Sequence, residues 1–286
     1  MSELKWTGER LITSVKAMHG VIEHLHRYAL AKQIIKDKIV LDIASGEGYG
    51  SFLMSKDAKK VFGVDIDKES VHHASKKYSN SANLEYLCGS TSNIPLPDKS
   101  VDIVVSFETL EHHNEHDLMM LEVSRVLKTD GVLIISSPEK TIYNQRDPNN
   151  PYHIKELTID EFKLLLKTHF KHNQFFTQRF IASSLINAEE NVTESSFKMF
   201  DGDYKNVYEG LNEDDPFYNK PFFNIAISSN TEFQNTILPS ASIFNGASVI
   251  NNANEYFDTE KNKILNSTSF KIGNWFVKKF YFLKKR

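Results

Sequence analysis

Acid–base side chains cluster between residues 111 and 116, where Glu111, His112, His113 and His116 follow an apolar run. A further histidine, His153, lies in a polar loop downstream. Histidine can accept a proton near neutral pH, so this pattern indicates general base chemistry at a hydroxyl group. We predict His112 as the base, His153 as the second candidate and Glu111 as a third catalytic side chain. Each histidine could instead serve only as a hydrogen-bond partner within its loop.

A metal site is the other chemistry that these residues suggest. His112 and His116 are four residues apart, a spacing that suits one face of a helix. Asn114, however, is predicted to cap the start of that helix, which places His112 outside it. The sequence therefore predicts no metal ion.

A second candidate site lies in the stretch VLDIASGEGYG, from Val40 to Gly50. An apolar run that ends in spaced glycines predicts a buried strand followed by a tight turn and a helix. Glycine has no Cβ, so the backbone of Gly46 and Gly48 can approach a ligand closely.

Short apolar runs alternate with helical periodicity along most of the chain, which predicts parallel strands joined by helices. The predicted strands cover residues 39–43, 61–64, 84–87, 101–106, 132–135, 175–180 and 222–227, and the predicted helices cover 21–35, 49–55, 70–78, 115–127 and 158–167. Asp130 and Gly131 predict a turn before the fifth strand. We expect a doubly wound α/β sheet of about seven strands, mostly parallel, with an antiparallel strand near the end. Ligands of such sheets bind beyond the carboxyl ends of the strands.

Composition divides the chain into one large domain and an extension. Residues 1–230 are predicted to form the domain, with a cap or helix over 1–36 and a polar excursion over 181–216. Residues 231–286 are rich in asparagine and weakly periodic. The basic, aromatic end, residues 270–286, predicts a helix that contacts a membrane surface, the domain itself or a second subunit.

The overall charge and the single cysteine restrict the class of protein. The 286 residues carry a net charge of −3, which gives no case for nucleic acid as a partner. Cys88 is the only cysteine, so no disulfide can form within the chain. No signal-like or membrane-spanning apolar run is visible, and we expect a cytoplasmic protein.

Four segments in order resemble the class I S-adenosylmethionine-dependent methyltransferases, which have a Rossmann-like fold. VLDIASGEGYG is similar to the first motif of that family, and VFGVDID to the second. CGSTSNIPLPDKSVDIVVSFETLEH resembles the adenine loop and fourth strand, and RVLKTDGVLIISSP the helix, turn and fifth strand. The resemblance covers residues 40–138 and implies an enzyme with S-adenosyl-L-methionine as its cofactor.

The resemblance also implies which residues hold the cofactor. Asp65 would accept hydrogen bonds from the ribose hydroxyls, and Ser90 stands where many relatives have aspartate. The complete implied set is Asp42, Ala44, Gly46, Gly48, Asp65, Ile66, Ser90, Thr91, Phe107 and Glu108.

The segments WTGERLIT, EHLHRYALA and NPYHIKELTIDEF are similar to a subgroup that modifies sugars in bacterial surface-polysaccharide biosynthesis. This resemblance implies O-methylation of a sugar, a nucleotide-sugar or a sugar-linked phosphate group. The residues that would close the acceptor pocket are 6–10, Tyr28 and 150–153, and those that would meet phosphates are Arg10, Arg27 and Arg146. The alternatives are methylation of a quinone-like, lipid or amine acceptor, and a non-catalytic binding protein. A homodimer is compatible with each of these functions.

Overall fold

The computed structural model describes residues 18–148, 150–181, 200–202, 207–209, 221–233 and 242–283. The helices are α1 Met18–Ala31, α2 Tyr49–Ser55, α3 Lys68–Lys77, α4 His116–Val126, α5 Lys140–Arg146, α6 Ile159–His169, α7 Ala247–Asn266 and α8 Thr268–Leu283. The strands are β1 Ile39–Ile43, β2 Lys60–Asp65, β3 Leu84–Cys88, β4 Val101–Phe107, β5 Leu127–Pro138, β6 His172–Gln178, β7 Phe200–Gly202, β8 Val207–Glu209 and β9 Phe223–Ser229.

Seven of the described strands form one sheet in the order β3-β2-β1-β4-β5-β9-β6. The pairings from β3 to β5 are all parallel, whereas β9 is antiparallel to both β5 and β6. The predicted fold class is therefore confirmed, including the antiparallel strand near the end. The parallel order brings the carboxyl ends of β1, β2, β4 and β5 to one edge of the sheet, where the candidate residues lie.

Helices cover both faces of the sheet because both faces are apolar. Met120 of α4 and Phe162 of α6 are buried on one face. Tyr28 and Ala31 of α1 and Met54 of α2 are buried on the other. Helix α1 therefore packs directly behind the turn that follows β1, and it forms one wall of the candidate site.

Three local predictions were wrong. Asp130 and Gly131 lie inside β5, which begins at Leu127, at the irregularity where its pairing with β4 passes from Leu127 to Val132. Helix α4 begins at His116 with Glu115 at its N-cap position, so Asn114 does not cap it. No helix was predicted in the polar region before His153, yet it contains α5, whose N-cap Glu139 accepts a hydrogen bond from the backbone N–H of Ile142 at 3.0 Å.

The extension forms two helices. Helix α7 contacts α1 and buries Ala253, and the preceding segment is tied to α1 by a 2.8 Å hydrogen bond between His26 and Ser242. Helix α8 exposes about half of the Trp275 and Phe276 side chains, so the part of α8 with described side chains is not packed on the domain. Within the described residues, no helix combines the length and hydropathy that a membrane span requires.

Candidate active site

The turn after β1 has an unusual backbone. Ala44, Gly46 and Gly48 adopt positive φ angles of 62°, 55° and 88°. The left-handed region is easy for glycine but costs other residues roughly 1–2 kcal/mol, so Ala44 is strained. A Cβ on Gly48 would lie 2.6 Å from the hydroxyl oxygen of Tyr86, which donates a hydrogen bond to the Gly48 carbonyl. Tyr86 therefore holds the turn in one conformation, through this hydrogen bond and its close packing on Gly48.

Asp42 lies at the end of β1 beneath this turn. Its carboxylate accepts a 2.6 Å hydrogen bond from the hydroxyl of Ser51 and is almost completely buried. Burial, with a smaller effect from the nearby charge of Asp65, raises the pKa of Asp42 to about 7. Asp42 can therefore change charge near neutral pH.

Asp65, at the end of β2, connects the β1 turn to the next strand. One carboxylate oxygen accepts a 2.7 Å hydrogen bond from the Gly46 N–H and the other a 2.9 Å bond from the Asp67 N–H. A carboxylate has about four lone-pair sites, so capacity remains for two hydroxyls of a ligand. The next side chain, Ile66, is 73% exposed and offers an apolar surface beside this carboxylate.

The loop after β3 closes the same end of the sheet. Gly89 donates a backbone hydrogen bond to the Asp65 carbonyl at 3.0 Å, and Ser90 and Asn93 bond through their backbones at 3.2 and 3.4 Å. The hydroxyl of Ser90 lies 3.4 Å from that of Ser92, and Thr91 is half-buried. The expected adenine-reading residues are therefore in a tight turn beside Asp65.

The end of β4 carries a second strained residue, Glu108, at φ 54°. Its carboxylate accepts a 2.6 Å hydrogen bond from Ser136 and lies 3.6 Å from the guanidinium of Arg27. Arg27 donates to Gln178 at 2.8 Å and stacks on the Phe223 ring at 4.6 Å. Arg27 is 1% exposed, so its guanidinium lies in the interior of the domain, and its contact with a phosphate stays a prediction.

Two aromatic residues expected near the ligand are instead largely buried. Tyr28 packs edge-on against Phe107 at 5.1 Å and against Tyr49 at 5.7 Å. A Cβ on Gly50 would lie 2.0 Å from the Tyr28 ring, which means that α1 needs this glycine for close packing. Tyr28 therefore braces the turn, and the prediction that it closes the acceptor pocket was wrong.

The side chains of Glu111, His112 and His153 lie close together, although His153 is more than 40 residues away from the other two in sequence. One ligating atom from each lies within 4.8 Å of the others. The carbonyl of Glu111 accepts hydrogen bonds from Ile154 N–H at 2.7 Å and Lys155 N–H at 3.1 Å. These bonds fix the loop after β5 onto the turn after β4.

The imidazole rings of His112 and His153 are oriented by the contacts of their Nδ1 atoms. His112 Nδ1 lies 3.1 Å from the carbonyl of Tyr152, and His153 Nδ1 lies 2.5 Å from a carboxylate oxygen of Glu156. Tyr143 of α5 stacks on His153, with ring centroids 4.8 Å apart. Glu111 and Glu156 are both buried, so the cluster has a low-dielectric interior side.

The remaining histidines of the sequence cluster point elsewhere. His116 is buried, and its Nε2 lies 2.8 Å from the carbonyls of Leu110 and His113. Burial lowers the pKa of His113 to about 4, so its ring is neutral at physiological pH. His112 and His116 therefore do not act as a pair of metal ligands despite their spacing, because Nε2 of His116 faces two backbone carbonyls.

Three contacts at this edge were not predicted. Glu47 is buried in the turn and pairs with Lys77 of α3 at 2.7 Å. Glu156 holds His153, and Arg27 holds Glu108. Glu156 lies three residues after His153, which is the one local signal that could have been used. Trp6–Arg10 lie outside the described residues, as does the side chain of Arg146.

The amino-acid sequence is similar to those of known methyltransferases. Residues 41–135 match the family model described as "Methyltransferase domain". The chain is 34% identical over 170 residues to a "Probable S-adenosylmethionine-dependent methyltransferase" of Mycolicibacterium smegmatis, and the match covers 58% of this chain and 65% of the relative. It is 30% identical over 112 residues to a "Ubiquinone biosynthesis O-methyltransferase" of Pelagibacter ubique, covering 38% and 45%.

A solved structure supports the fold. It is a chain from the complex between the Haloferax volcanii Trm112 methyltransferase activator and a methyltransferase, with a TM-score of 0.57 and 16% identity, covering 78% of this chain and 94% of that one. Both sequence matches span less than two thirds of the relative's own length. The cofactor in the name of the first relative is the one predicted from the motifs. Residues 41–135 are therefore similar to a methyltransferase domain, over the same stretch in which the sequence motifs lie.

Proposed function

We propose that this protein transfers a methyl group from S-adenosylmethionine to an oxygen atom of a small acceptor. The observation that carries the proposal is that the strained turn after β1 and the Glu111–His112–His153 cluster lie at the same edge of the sheet. When bound, the cofactor would supply a methyl group: the bond from this methyl to the sulfonium sulfur would break as the bond to the acceptor oxygen forms, which leaves the cofactor as a neutral thioether. The acceptor hydroxyl would give its proton to a base of the cluster. The protein residues hold the two molecules in line.

The residues fit this cofactor. Arg27 has two guanidinium nitrogens, Nε and Nη2, that are buried without a hydrogen-bond partner, and the buried Ser45 hydroxyl also lacks one. An unpaired buried donor is costly, so these groups favour a bound anion such as the carboxylate of a methionine. Asp65 has acceptor capacity for ribose hydroxyls, and exposed Ile66 offers a surface for the adenine.

The acceptor cleft is polar. A cavity of about 260 Å³ beside the catalytic cluster is lined by Lys140, Asn144, Asp147, Pro148, Asn150, His153, Ile154, Lys155 and Glu156. This lining offers both hydrogen-bond donors and hydrogen-bond acceptors, which suits a methyl acceptor with several hydroxyls. It therefore supports a sugar or nucleotide-sugar. The name of the Pelagibacter relative supports the alternative of a quinol acceptor. A quinol would need a mainly apolar cleft, and this lining is not apolar.

Two experiments test the proposal. Calorimetry with S-adenosylmethionine should give one site per chain, and an absence of binding would refute the assignment. Methyl-labelled cofactor should then be incubated with nucleotide-sugars, phosphorylated glycans, a quinol and a fatty acid. Label on a sugar is the expected result, and transfer only to the quinol or the fatty acid would end the sugar proposal.

The catalytic cluster needs its own variants. In His112→Ala and His153→Ala, we expect turnover to fall by roughly 10²-fold or more while cofactor affinity is kept, because the cluster acts on the acceptor proton. A matched control is His169→Gln, which removes a histidine–carboxylate pair with Asp117 at the surface. Normal turnover in both alanine variants would mean that alignment of the acceptor is sufficient.

We also infer that α8 is a contact surface. The exposed Phe270, Trp275 and Phe276 stand in a segment, residues 268–286, that has six basic and no acidic residues. An exposed apolar and basic helix favours anionic lipid. Co-sedimentation with vesicles that contain phosphatidylserine, but not with neutral vesicles, is expected. A dimer in light scattering without vesicle binding would assign the surface to a second copy instead.

A further inference from the structure

We propose that Glu111, His112 and His153 bind a divalent metal ion that holds the acceptor oxygen. One carboxylate and two imidazoles are a donor set that binds Zn²⁺, Fe²⁺, Mn²⁺ or Co²⁺ and leaves coordination positions open. The three ligating atoms lie within 4.8 Å of one another, and His112 Nε2 is 3.9 Å from a carboxylate oxygen of Glu111. Donors around one ion lie roughly 3 to 3.5 Å apart, so side-chain movements of about 1 Å complete the set.

The orientation of both imidazole rings favours a cation. His112 Nδ1 faces the carbonyl of Tyr152, which can only accept, so Nδ1 carries the hydrogen. His153 Nδ1 faces the carboxylate of Glu156 and carries a hydrogen for the same reason. Each ring therefore keeps the lone pair on Nε2. A ligating histidine that donates its other N–H to a carbonyl or carboxylate is the usual arrangement around protein-bound metals.

Charge at the cluster supports the same conclusion. The Glu111 carboxylate is buried, and one ligating atom of each imidazole lies within 4.8 Å of it. A divalent cation between them would be attracted by the carboxylate in surroundings of low dielectric constant.

The fold holds the ligands independently of the ion. The Glu111 carbonyl binds the backbone of residues 154 and 155, so the loop that carries His153 is attached to the turn that carries Glu111. Tyr143 packs on the His153 ring from α5. Because these contacts fix the backbone on both sides of the cluster, the site requires only small movements of side chains.

The consequence for the reaction rests on the proposed function. A divalent cation would bind the acceptor hydroxyl, lower the pKa of that hydroxyl and let its proton pass to water. The three protein donors leave open positions toward the polar cleft lined by His153 and Glu156. Acceptors with two adjacent oxygens, such as a vicinal diol, can fill two of these positions. The two histidines then act as ligands rather than as the base.

The test is metal binding by the full chain, with any polyhistidine tag removed and metal stripped by a chelator. Titration with Co²⁺ should give one ion per chain in the micromolar range, with visible absorption bands. Glu111→Gln and His112→Gln should weaken binding by at least 100-fold, and Glu156→Gln by roughly 10- to 100-fold because it orients His153. His169→Gln should bind as the wild type does, since His169 pairs with Asp117 elsewhere.

Each outcome has a distinct meaning. No Co²⁺ binding at millimolar concentration, or binding that Glu111→Gln and His112→Gln leave intact, overturns the metal site. Imidazolium signals from His112 in nitrogen NMR, without metal binding, assign the charge to a proton and also overturn it. Thermal melts of each variant exclude loss of fold. Calorimetry with S-adenosylmethionine on the metal-free chain separates the claims, because cofactor binding without metal binding leaves the proposed methyltransferase function in place.

Discussion

The buried carboxyl of Asp42 should make the protein less stable as pH rises toward neutrality. Its pKa is raised from 3.8 to about 7, mainly by burial. Between these two values the folded state keeps a proton that the unfolded state has lost. The stability contribution of this group therefore falls as pH rises through the window and is constant above it. This sign is opposite to that of an aspartate in a salt bridge.

Asp42→Asn removes the effect with little change of shape, because an amide oxygen can still accept the hydrogen bond from Ser51. A shift of about 3 pKa units corresponds to about 4 kcal/mol, of which roughly 3 kcal/mol develops between pH 5 and pH 8. We therefore expect the wild type to lose about 3 kcal/mol relative to Asp42→Asn over this range.

Urea unfolding at several pH values between 5 and 8 measures this difference directly. Other titrating groups are common to both proteins, so their contributions cancel in the comparison. Parallel stability–pH curves for wild type and variant would refute the reasoning, because they would mean that Asp42 has an ordinary pKa. Ser51→Ala is the companion variant, and it should raise the pKa of Asp42 further by removing a hydrogen bond to the charged form.

Three other substitutions test the site. Gly50→Ala should lower stability by about 1–3 kcal/mol in thermal melts, with partial recovery in a double variant with Tyr28→Leu, because the new Cβ would lie 2.0 Å from the Tyr28 ring; no recovery would exclude this contact as the cause. Arg27→Lys should weaken binding of S-adenosylmethionine by about 10-fold in calorimetry but not that of its decarboxylated analogue, and an equal loss for both would exclude a carboxylate contact. Ile66→Ser should leave stability within about 0.5 kcal/mol, since Ile66 is 73% exposed, yet weaken cofactor binding; unchanged affinity would exclude Ile66 from the adenine surface.

The sheet was predictable because its signals are local. Each parallel strand is a short apolar run, and the glycine turn after Asp42 marks the edge at which ligands bind. Helix α5 escaped prediction because among the described side chains of KTIYNQR only Ile142 is buried, so no apolar face is visible. The turn signal at Asp130 and Gly131 corresponds to the irregularity inside β5, where its pairing with β4 passes from Leu127 to Val132, rather than to a boundary between two elements.

The candidate catalytic cluster could be predicted only as separate residues. Its members were visible in the sequence, but the contact between His112 and His153 depends on how the Glu111 carbonyl binds the loop after β5. A backbone hydrogen bond across 40 residues leaves no trace in composition or periodicity. The burial of Arg27 was not predicted for a related reason, since it depends on β9 and β6, which are distant in sequence.

The two hydrogen bonds that Asp65 accepts, from Gly46 and Asp67, have a consequence for recognition. They join the turn after β1 to the end of β2, so the chain's own hydrogen bonds hold both expected contact regions for the cofactor in fixed relative positions. Binding then requires little loss of backbone entropy, and the free energy of the contacts is kept as affinity. The same carboxylate thus acts as a structural brace in the free protein and as an acceptor in the complex.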